Sequence, residues 1–348
     1  MPNQITIDGS FGEGGGSIAR FSIAFACVLQ KPVIISNIRA NRKNPGLRTQ
    51  HLAGIRLIQQ IFGGKLEGDR IGSTQISYTP ELVINLRSKH IQVRIDTAAS
   101  LGLIIQTLQL AAYALPEEIT IELVGGATYG LWAPSIDYII FVTMVYLKYF
   151  NTNFEIKIGN HGFYPKGEAR LVLIMKPANL HKIESLSFIE REEKSQIQGI
   201  SIASKHLQGS KVAERTAKAA LNLLNQNGFN AQIEPLYVDT LSIGSGITIW
   251  TKSKYPFGSS FIGQKQISAE NVGKSVAVNF LKDWKNGGVL DEFMADQIIP
   301  FMSLTPVEIF TGPLTEHTKT NIWIANHFQE SHFEISNIKN KLYSIKTT

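Results

Sequence analysis

Apolar residues follow two different periods along this chain. Short apolar or alternating runs predict β-strands, and longer segments with apolar residues at helical spacing predict helices. Within Gln50–Phe62, for example, Leu52, Ile55 and Ile58 fall on one predicted helix face. The predicted strands are Ile5–Ile7, Val33–Ile38, Gln75–Thr79, Leu82–Leu86, Ile91–Ile95, Ile119–Val124, Phe154–Gly159 and Leu171–Met175, and the predicted helices are Phe21–Leu29, Gln50–Phe62, Leu101–Ala114 and Pro134–Phe150. This alternation predicts a mixed α/β (α+β) fold, and its recurrence at about eighty-residue intervals indicates internal repetition.

The character of the sequence changes after residue 184. A charged segment, Glu190–Lys194, is followed by a strand, a helix and two strands, predicted at Ile197–Ile202, Lys211–Asn227, Ala231–Tyr237 and Gly246–Thr251. This succession predicts a smaller α/β module inserted over residues 185–263. Residues 1–184 and 264–348 then form the main domain, whose second part has predicted helices at Ala269–Lys285 and Asp291–Ile299 and a closing helix and strand within 321–336.

A glycine-rich segment joins the first predicted strand to the first predicted helix. Residues 8–20 read DGSFGEGGGSIAR and contain five glycines. Glycine lets the backbone approach a ligand closely, and the N–H groups that open a helix attract anions. Glu13 would be repelled by bare phosphate, so the segment favours a phosphate accompanied by a metal ion. A tight strand-to-helix connection without a ligand remains the alternative interpretation.

A second anion-binding signal follows the second predicted strand. Residues 39–51 read RANRKNPGLRTQH, with five basic side chains, no acidic residue and a Pro-Gly turn. A solvated helix face would carry acidic partners at helical spacing, so this run favours a loop directed at phosphates. Two such features on successive elements predict a phosphorylated substrate.

Composition narrows the class of protein. Of the 348 residues, 43% are hydrophobic and 18% charged, with a net charge of +6, as in a globular protein with a preference for polyanionic partners. The single cysteine, Cys27, is expected to be buried and unreactive, and it excludes an internal disulfide and a cysteine-based zinc site. No signal-peptide pattern is visible, and the apolar stretch Ile136–Tyr149 is too short to span a bilayer. A soluble, cytoplasmic protein without a membrane partner is expected.

Seven sequence blocks, in chain order, carry a family resemblance. They read DGSFGEGGGSIAR, IRANRKNPGLRTQH, SLGLIIQ, LWAPSIDY, HGFYPKGEAR, DEFMADQ and EHTKTN, and the resemblance that they carry extends from about residue 5 to 336. The chain resembles the RNA 3′-terminal phosphate cyclases. The resemblance implies three βαβαββ repeats of the RNA cyclase and enolpyruvyl transferase type, with a smaller α/β domain inserted in the third. It also implies ATP-dependent conversion of an RNA 3′-phosphate end to a 2′,3′-cyclic phosphate.

The same resemblance assigns the nucleophile to His317, in GPLTEHTKTNI. Attack of its imidazole on the α-phosphate of ATP would give adenylyl-histidine and pyrophosphate. Transfer of the adenylate to the RNA phosphate and attack by the ribose 2′-hydroxyl would then release AMP. The residues alone indicate less, because a histidine beside an acid in a loop before the apolar run Ile322–Ile324 is more often a surface or capping residue.

Further site residues follow from the matched blocks. Glu13 is implied to hold a divalent metal, Mg²⁺ or Mn²⁺, near the ATP phosphates, with a helix N-terminal carboxylate as the alternative. The implied phosphate-binding and catalytic residues are Arg20, Arg39, Arg42, Gln50 and His51, and the implied nucleotide-pocket residues are Gln106, Pro134, Phe293, Asp296 and Gln297. For each arginine alone, a surface salt bridge is the competing interpretation. The chain departs from the family pattern at Phe293, where a tyrosine is usual, and at Glu168 and Ala169, where glycines are usual.

Three other classes of protein compete with a cyclase. A cyclase-like RNA-binding protein of ribosome assembly shares the fold but lacks the catalytic histidine, which is present here as His317. An enolpyruvyl transferase would lack both the insert and the terminal histidine block. A P-loop ATPase is disfavoured because no GxxxxGK[ST] occurs; before Gly273, Ser268 stands where the first glycine belongs. RNA 3′-phosphate ends and ATP are the expected partners, and the oligomeric state stays open.

Overall fold

The described residues form four four-stranded sheets and the helices that cover them. The computed structural model describes residues 4–84, 86, 88–183, 185–193, 196–329 and 332–348. The mixed α/β class predicted from the sequence is confirmed.

The first unit covers residues 5–79. Its elements are β1 (Ile5–Asp8), α1 (Gly16–Leu29), β2 (Val33–Ser36), α2 (Thr49–Phe62), β3 (Lys65–Glu67) and β4 (Ile76–Thr79). The strand order is β1-β2-β4-β3, with β1 and β2 parallel and the other pairs antiparallel. Every residue of α1 from Ser17 to Cys27 is buried, because α2 and two helices of the other units surround it.

The second unit covers residues 90–176 and has the same strand arrangement. Its elements are β5 (His90–Ser100), α3 (Leu101–Ala111), a 3₁₀ turn (Ala112–Ala114), β6 (Ile119–Ala127), α4 (Ile136–Tyr138), a π-helix (Ile139–Thr143), α5 (Met144–Tyr149), β7 (Asn153–Asn160) and β8 (Arg170–Lys176). The strand order is β5-β6-β8-β7, again with one parallel and two antiparallel pairs. The predicted helix Pro134–Phe150 is therefore divided by a π-helical turn.

The third unit is interrupted by the inserted elements. After a 3₁₀ turn (Leu180–Lys182) and β9 (Leu186–Phe188), the chain forms β10 (Ile197–Ser204), a 3₁₀ turn (Lys205–Leu207), α6 (Val212–Gln226), β11 (Ala231–Val238), β12 (Ser245–Thr251), β13 (Gly258–Ile262) and α7 (Ala269–Trp284). It then returns through α8 (Glu292–Met302), β14 (Val307–Thr311), α9 (Glu316–Phe328), β15 (Phe333–Lys339) and β16 (Leu342–Thr347). The third sheet has the order β9-β14-β16-β15 and the same pattern of parallel and antiparallel pairs.

The inserted elements have a sheet and a core of their own. Their sheet has the order β11-β10-β12-β13, and α6 and α7 pack against each other on it. Leu224, Ile249, Phe257 and Phe280 belong to this separate apolar cluster. Because β9 pairs with β14 and α7 packs on α6, we propose that the inserted domain extends from β10 to α7.

The predictions for individual segments had different outcomes. The strand predicted at Leu82–Leu86 is wrong for its described part, because Leu82 and Val83 lie exposed in a bend without a partner strand; Asn85 lies outside the described residues. Lys194 of the charged segment also lies outside them.

Cys27 is buried as expected, and burial raises its thiol pKa to about 12. No described helix combines the length and the apolar character needed to cross a bilayer.

The contact between α6 and α7 gives a stability prediction. A Cβ at Gly273 would lie 2.1 Å from the carbonyl oxygen of Thr216, which is backbone and cannot turn away. Gly273→Ala should therefore separate the helices and cost about 1–3 kcal/mol of unfolding free energy in denaturant titrations. Gly209→Ala is the matched control, because in the described part of the chain no atom beyond its chain neighbours lies within 4 Å of the added methyl. Equal stability of the two variants would contradict the prediction.

Candidate active site

The glycine-rich segment ends at an open helix N-terminus. Gly15 caps α1 without a side-chain hydrogen bond, and the first turn contains no acidic residue. The first N–H groups of a helix have no partners within the helix. Gly12 and Gly14 both have φ near 57°, a conformation that glycine adopts without strain. The segment thus presents backbone donors to an anion.

Glycine is also required here because other elements approach the segment closely. A Cβ at Gly16 would lie 2.1 Å from Nε2 of His51, and a Cβ at Gly12 would lie 2.8 Å from Oγ1 of Thr320. At Gly15 the nearest side chain of another element is His317, whose Cε1 would be 3.7 Å away. The N-terminus of α1 therefore lies against both α2 and α9.

Glu13 lies between a cation and the predicted nucleophile. Its Oε2 is 2.8 Å from Nη2 of Arg42 and 3.7 Å from Nε2 of His317. All three side chains are between 40% and 48% exposed, so a substrate can reach them. His317 lies in the first turn of α9, not in a loop as the sequence indicated, because Thr315 caps the helix by accepting from the N–H of Thr318.

Arg20 is a buried cation at the centre of the site. It is 4% exposed, and its Nη2 donates to Oε1 of Gln106 on α3 over 3.1 Å. Its Nε is buried without a hydrogen-bond partner among the described residues. Burial lowers the pKa of Arg20 to about 10, so the guanidinium stays charged at neutral pH. A buried donor without a partner is the place where a bound anion would be stabilised.

His51 is buried beside this cation. Its Nδ1 accepts from the backbone N–H of Arg48 over 3.2 Å, so a neutral ring carries its proton on Nε2, which faces Gly16. Burial, followed by the charges of Arg20, Arg39 and Arg48, lowers the pKa of His51 to about 3. His51 is therefore a neutral hydrogen-bond donor at the N-terminus of α1.

Arg39 and Gln50 lie at the edge of this cluster. Nη1 of Arg39 donates to the carbonyl oxygens of Asn44 and Gly46, over 2.9 and 3.0 Å, and so braces its own loop. Burial and then the charges of Arg48 and Arg42 lower the pKa of Arg39. Gln50 is the second residue of α2 and is half-buried.

Asp296 connects α8 to the first turn of α9. Its Oδ1 accepts from the hydroxyls of Thr315, over 2.5 Å, and Thr318, and its carbonyl oxygen accepts from Nδ2 of Asn321 over 2.8 Å. Burial raises the pKa of Asp296 to about 6, while the two threonine hydroxyls act in the opposite direction. These contacts hold the turn that carries His317.

The other predicted nucleotide-pocket residues lie on α8 and before α4. Phe293 is 43% exposed, whereas Gln297 is buried and accepts from Oγ1 of Thr143 over 3.2 Å. The carbonyl oxygen of Pro134 lies against Gly102, one turn of α3 before Gln106. The predicted residues thus form a group around Glu13 and His317, a group around Arg20, and a group on α8.

Several residues of this arrangement were not predicted. Thr315 and Thr318 hold Asp296, and Tyr138 and Thr143 contact α8. For Thr315 a signal exists, because a threonine followed by an acid at a helix start is a typical cap. The other contacts join segments distant in sequence, and no local pattern indicates them.

The described residues fit a metal ion that is bound only in part by the protein. They contain no group of three or more His, Cys, Asp or Glu side chains that could enclose an ion. The single carboxylate of Glu13 fits an ion that takes its remaining ligands from substrate phosphates and water, as Mg²⁺ commonly does.

A helix N-terminus lined by glycine, a buried cation and an accessible histidine are suited to chemistry on phosphates. The family model described as RNA 3′-terminal phosphate cyclase matches residues 11–335. The chain is 37% identical to the RNA 3′-terminal phosphate cyclase of Pyrococcus furiosus over 335 residues, 95% of each chain. It is also 37% identical to that of Archaeoglobus fulgidus, over 93% of this chain and 95% of the relative, and 36% identical to that of Thermococcus kodakarensis, over 95% and 94%. The chain belongs to the RNA 3′-terminal phosphate cyclase family.

The buried neutral state of His51 predicts how stability depends on pH. The unfolded histidine takes up a proton near its ordinary pKa of 6.5, but the folded one does so only near 3. The contribution of neutral His51 to the free energy of unfolding is therefore complete above pH 6.5. It is lost as the pH falls toward 3, at about 1.4 kcal/mol per pH unit. His51→Asn keeps an acceptor for the N–H of Arg48 and should flatten the curve of unfolding free energy between pH 6 and 4. Parallel curves for the wild type and His51→Asn would contradict this assignment.

Proposed function

We propose that this protein uses ATP to convert an RNA 3′-phosphate end to a 2′,3′-cyclic phosphate, releasing AMP and pyrophosphate. Membership of the family and the names of the relatives support RNA 3′-terminal phosphate cyclase activity. The route through adenylyl-histidine and an RNA-adenylate, and a cytoplasmic location, are parts of the proposal.

The observation that carries the proposed route is the position of His317. The side chain is 48% exposed, with Nε2 3.7 Å from the carboxylate of Glu13 and the ring against Gly15. In the first step a neutral ring nitrogen attacks the α-phosphorus of ATP, and a nitrogen–phosphorus bond forms as the bond to pyrophosphate breaks. An oxygen of the RNA 3′-phosphate then takes the adenylate and releases the histidine. Finally the ribose 2′-hydroxyl attacks the activated phosphorus and expels AMP.

The other residues have electrostatic and orienting roles in this proposal. The N–H groups that open α1, the unpaired Nε of Arg20 and the Nε2–H of His51 would stabilise the phosphate oxygens, since each is a donor near the N-terminus of α1 or on that helix. Arg42 and Glu13 lie beside His317, and Arg39 keeps the loop that carries Arg42 in shape. A divalent ion at Glu13 would neutralise part of the triphosphate charge.

Base binding is assigned to the residues of α8 and the segment before α4. The exposed ring of Phe293 offers a stacking surface for adenine, although it lacks the hydroxyl of a tyrosine. The carbonyl oxygen of Pro134 lies against Gly102 on α3, one turn before Gln106, which accepts from Arg20.

The alternative is a non-catalytic, cyclase-like RNA-binding protein of ribosome assembly. Such a protein needs neither an accessible nucleophile nor a carboxylate beside it. The short distance between His317 and Glu13 favours the enzyme.

The nucleophile is tested by covalent labelling. Incubation with α-³²P-labelled ATP and Mg²⁺ or Mn²⁺ should give a protein adduct that is stable to alkali and labile to acid, as a phosphoramidate is. His317→Asn should abolish the adduct, because an amide cannot form the nitrogen–phosphorus bond. His327→Asn, on the same helix, should keep it, because His327 lies in the last turn of α9, against the carbonyl oxygen and the ring of Trp323. An adduct of unchanged yield in His317→Asn would refute the assignment.

The complete reaction is tested with defined RNA ends. An oligoribonucleotide with a 3′-phosphate should become a phosphatase-resistant cyclic end with ATP, whereas a 3′-hydroxyl end should not react. An oligonucleotide whose last ribose lacks the 2′-hydroxyl should stop at the adenylate, because the group that closes the ring is missing. If folded wild-type protein binds the RNA but converts none of it with either metal, the ribosome-assembly alternative is favoured.

A further inference from the structure

Asp291 is a buried carboxylate to which no role has yet been assigned. It is 1% exposed and caps α8, the helix that carries Phe293. Its Oδ1 accepts from the backbone N–H groups of Phe293 and Met294, over 3.1 and 3.0 Å. Two further donors come from other units, namely the hydroxyl of Tyr138 at 2.6 Å and the N–H of Gly258 at 2.9 Å.

Capping alone does not require such burial. The helices α7 and α9 begin with Ser268 and Thr315, which cap with a hydroxyl. Burying a carboxylate is costly unless its oxygens are satisfied by hydrogen bonds. Asp291 has no cation within ion-pair distance in the part of the chain that the structure describes. Its carboxylate oxygens are satisfied instead by the four N–H and O–H donors. The extra donors therefore serve to attach α8 to its surroundings.

The attachment lies directly behind Phe293. The ring of Tyr138 meets that of Phe293 edge to face, with centroids 6.3 Å apart and planes at 85°. One turn further along α8, Gln297 accepts from Thr143, which ends the π-helix that follows Tyr138. The helical segment from Tyr138 to Thr143 thus contacts two successive turns of α8.

The inserted domain takes part in the same contact. Gly258 opens β13, and a Cβ there would lie 2.7 Å from Cγ2 of Val142 and 3.0 Å from Cε2 of Tyr138. β13 therefore packs directly on the second unit. The carboxylate of Asp291 joins three parts of the molecule, namely α8, the second unit through Tyr138 and the inserted domain through Gly258.

We propose that Asp291 and Tyr138 are positioning residues that fix Phe293 in the orientation needed to bind the base of ATP, with β13 of the inserted domain completing the attachment. This inference rests on the proposed function for the placement of the base on Phe293. The pair touches neither substrate nor phosphate, and it acts on affinity for the nucleoside part of ATP alone.

The test separates base binding from phosphate binding. Tyr138→Phe removes one hydroxyl and keeps the ring, and Asp291 retains its backbone donors. Calorimetric titration should show about tenfold weaker binding of ATP to Tyr138→Phe, with the affinity for inorganic tripolyphosphate unchanged, because the phosphates are assigned to α1 and its neighbours. Tyr78→Phe is the matched control: it removes a buried hydroxyl that donates to Gly63 in the first unit over 3.0 Å. The control should bind both ligands as the wild type does.

Asp291→Asn is the second variant. Asparagine keeps one acceptor oxygen for Tyr138 and the helix N–H groups, but its amide nitrogen cannot accept from Gly258. The variant should therefore bind ATP more weakly than the wild type and more tightly than Tyr138→Phe, again with tripolyphosphate binding unchanged.

Three results would overturn the inference. They are unchanged ATP affinity in Tyr138→Phe, a parallel loss of ATP and tripolyphosphate affinity, and the same loss in Tyr78→Phe. The proposed function fails separately, if the wild type binds ATP but forms no adduct. In that case the binding measurements still decide whether the pair positions Phe293.

Discussion

The guanidinium of Arg20 is buried with an uncharged amide, not a carboxylate, as its hydrogen-bond partner. An acid beside it would satisfy the charge but would also repel a phosphate. Gln106 instead orients the guanidinium, and no described carboxylate compensates the positive charge by an ion pair. Burial, and then this charge, keep the ring of His51 neutral, and α1 begins after Gly15 without an acidic residue in its first turn. A phosphate bound at this point would supply the missing negative charge.

Buried polar contacts between distant segments hold the accessible groups in place. Asp296 fixes the first turn of α9 and so the direction of His317, while Arg39 fixes the loop of Arg42. In both cases a more buried side chain supports an accessible one. The ion pair of Glu13 with Arg42 is itself open to solvent.

The sequence predicted those features whose cause is local. The glycine segment and the basic loop are visible because each requires particular residues within a short stretch, and the mixed α/β class follows from the two hydrophobic periods. A closing helix was predicted within 321–336, but its start at Glu316 was missed, because that start depends on a threonine cap, which the apolar pattern does not include. Leu82 and Val83 resemble a strand in composition, but a strand needs a neighbour, and no sequence pattern indicates whether one is available. The same holds for the partners of Asp296 and for β9, whose partner strand follows only after the inserted domain.

The pairing of β9 with β14 has a consequence for the order in which the molecule can fold. The first two sheets use strands that follow one another closely, within residues 5–79 and 90–176, so each can form soon after its last strand leaves the ribosome. Leu186 must instead wait for Val307, its partner in the register, until the whole inserted domain has been synthesised. An inserted domain that folds by itself brings its two ends together and shortens the loop that this pairing has to close. Its early folding would then be a kinetic aid to completion of the third sheet, and with it to formation of the turn that carries His317.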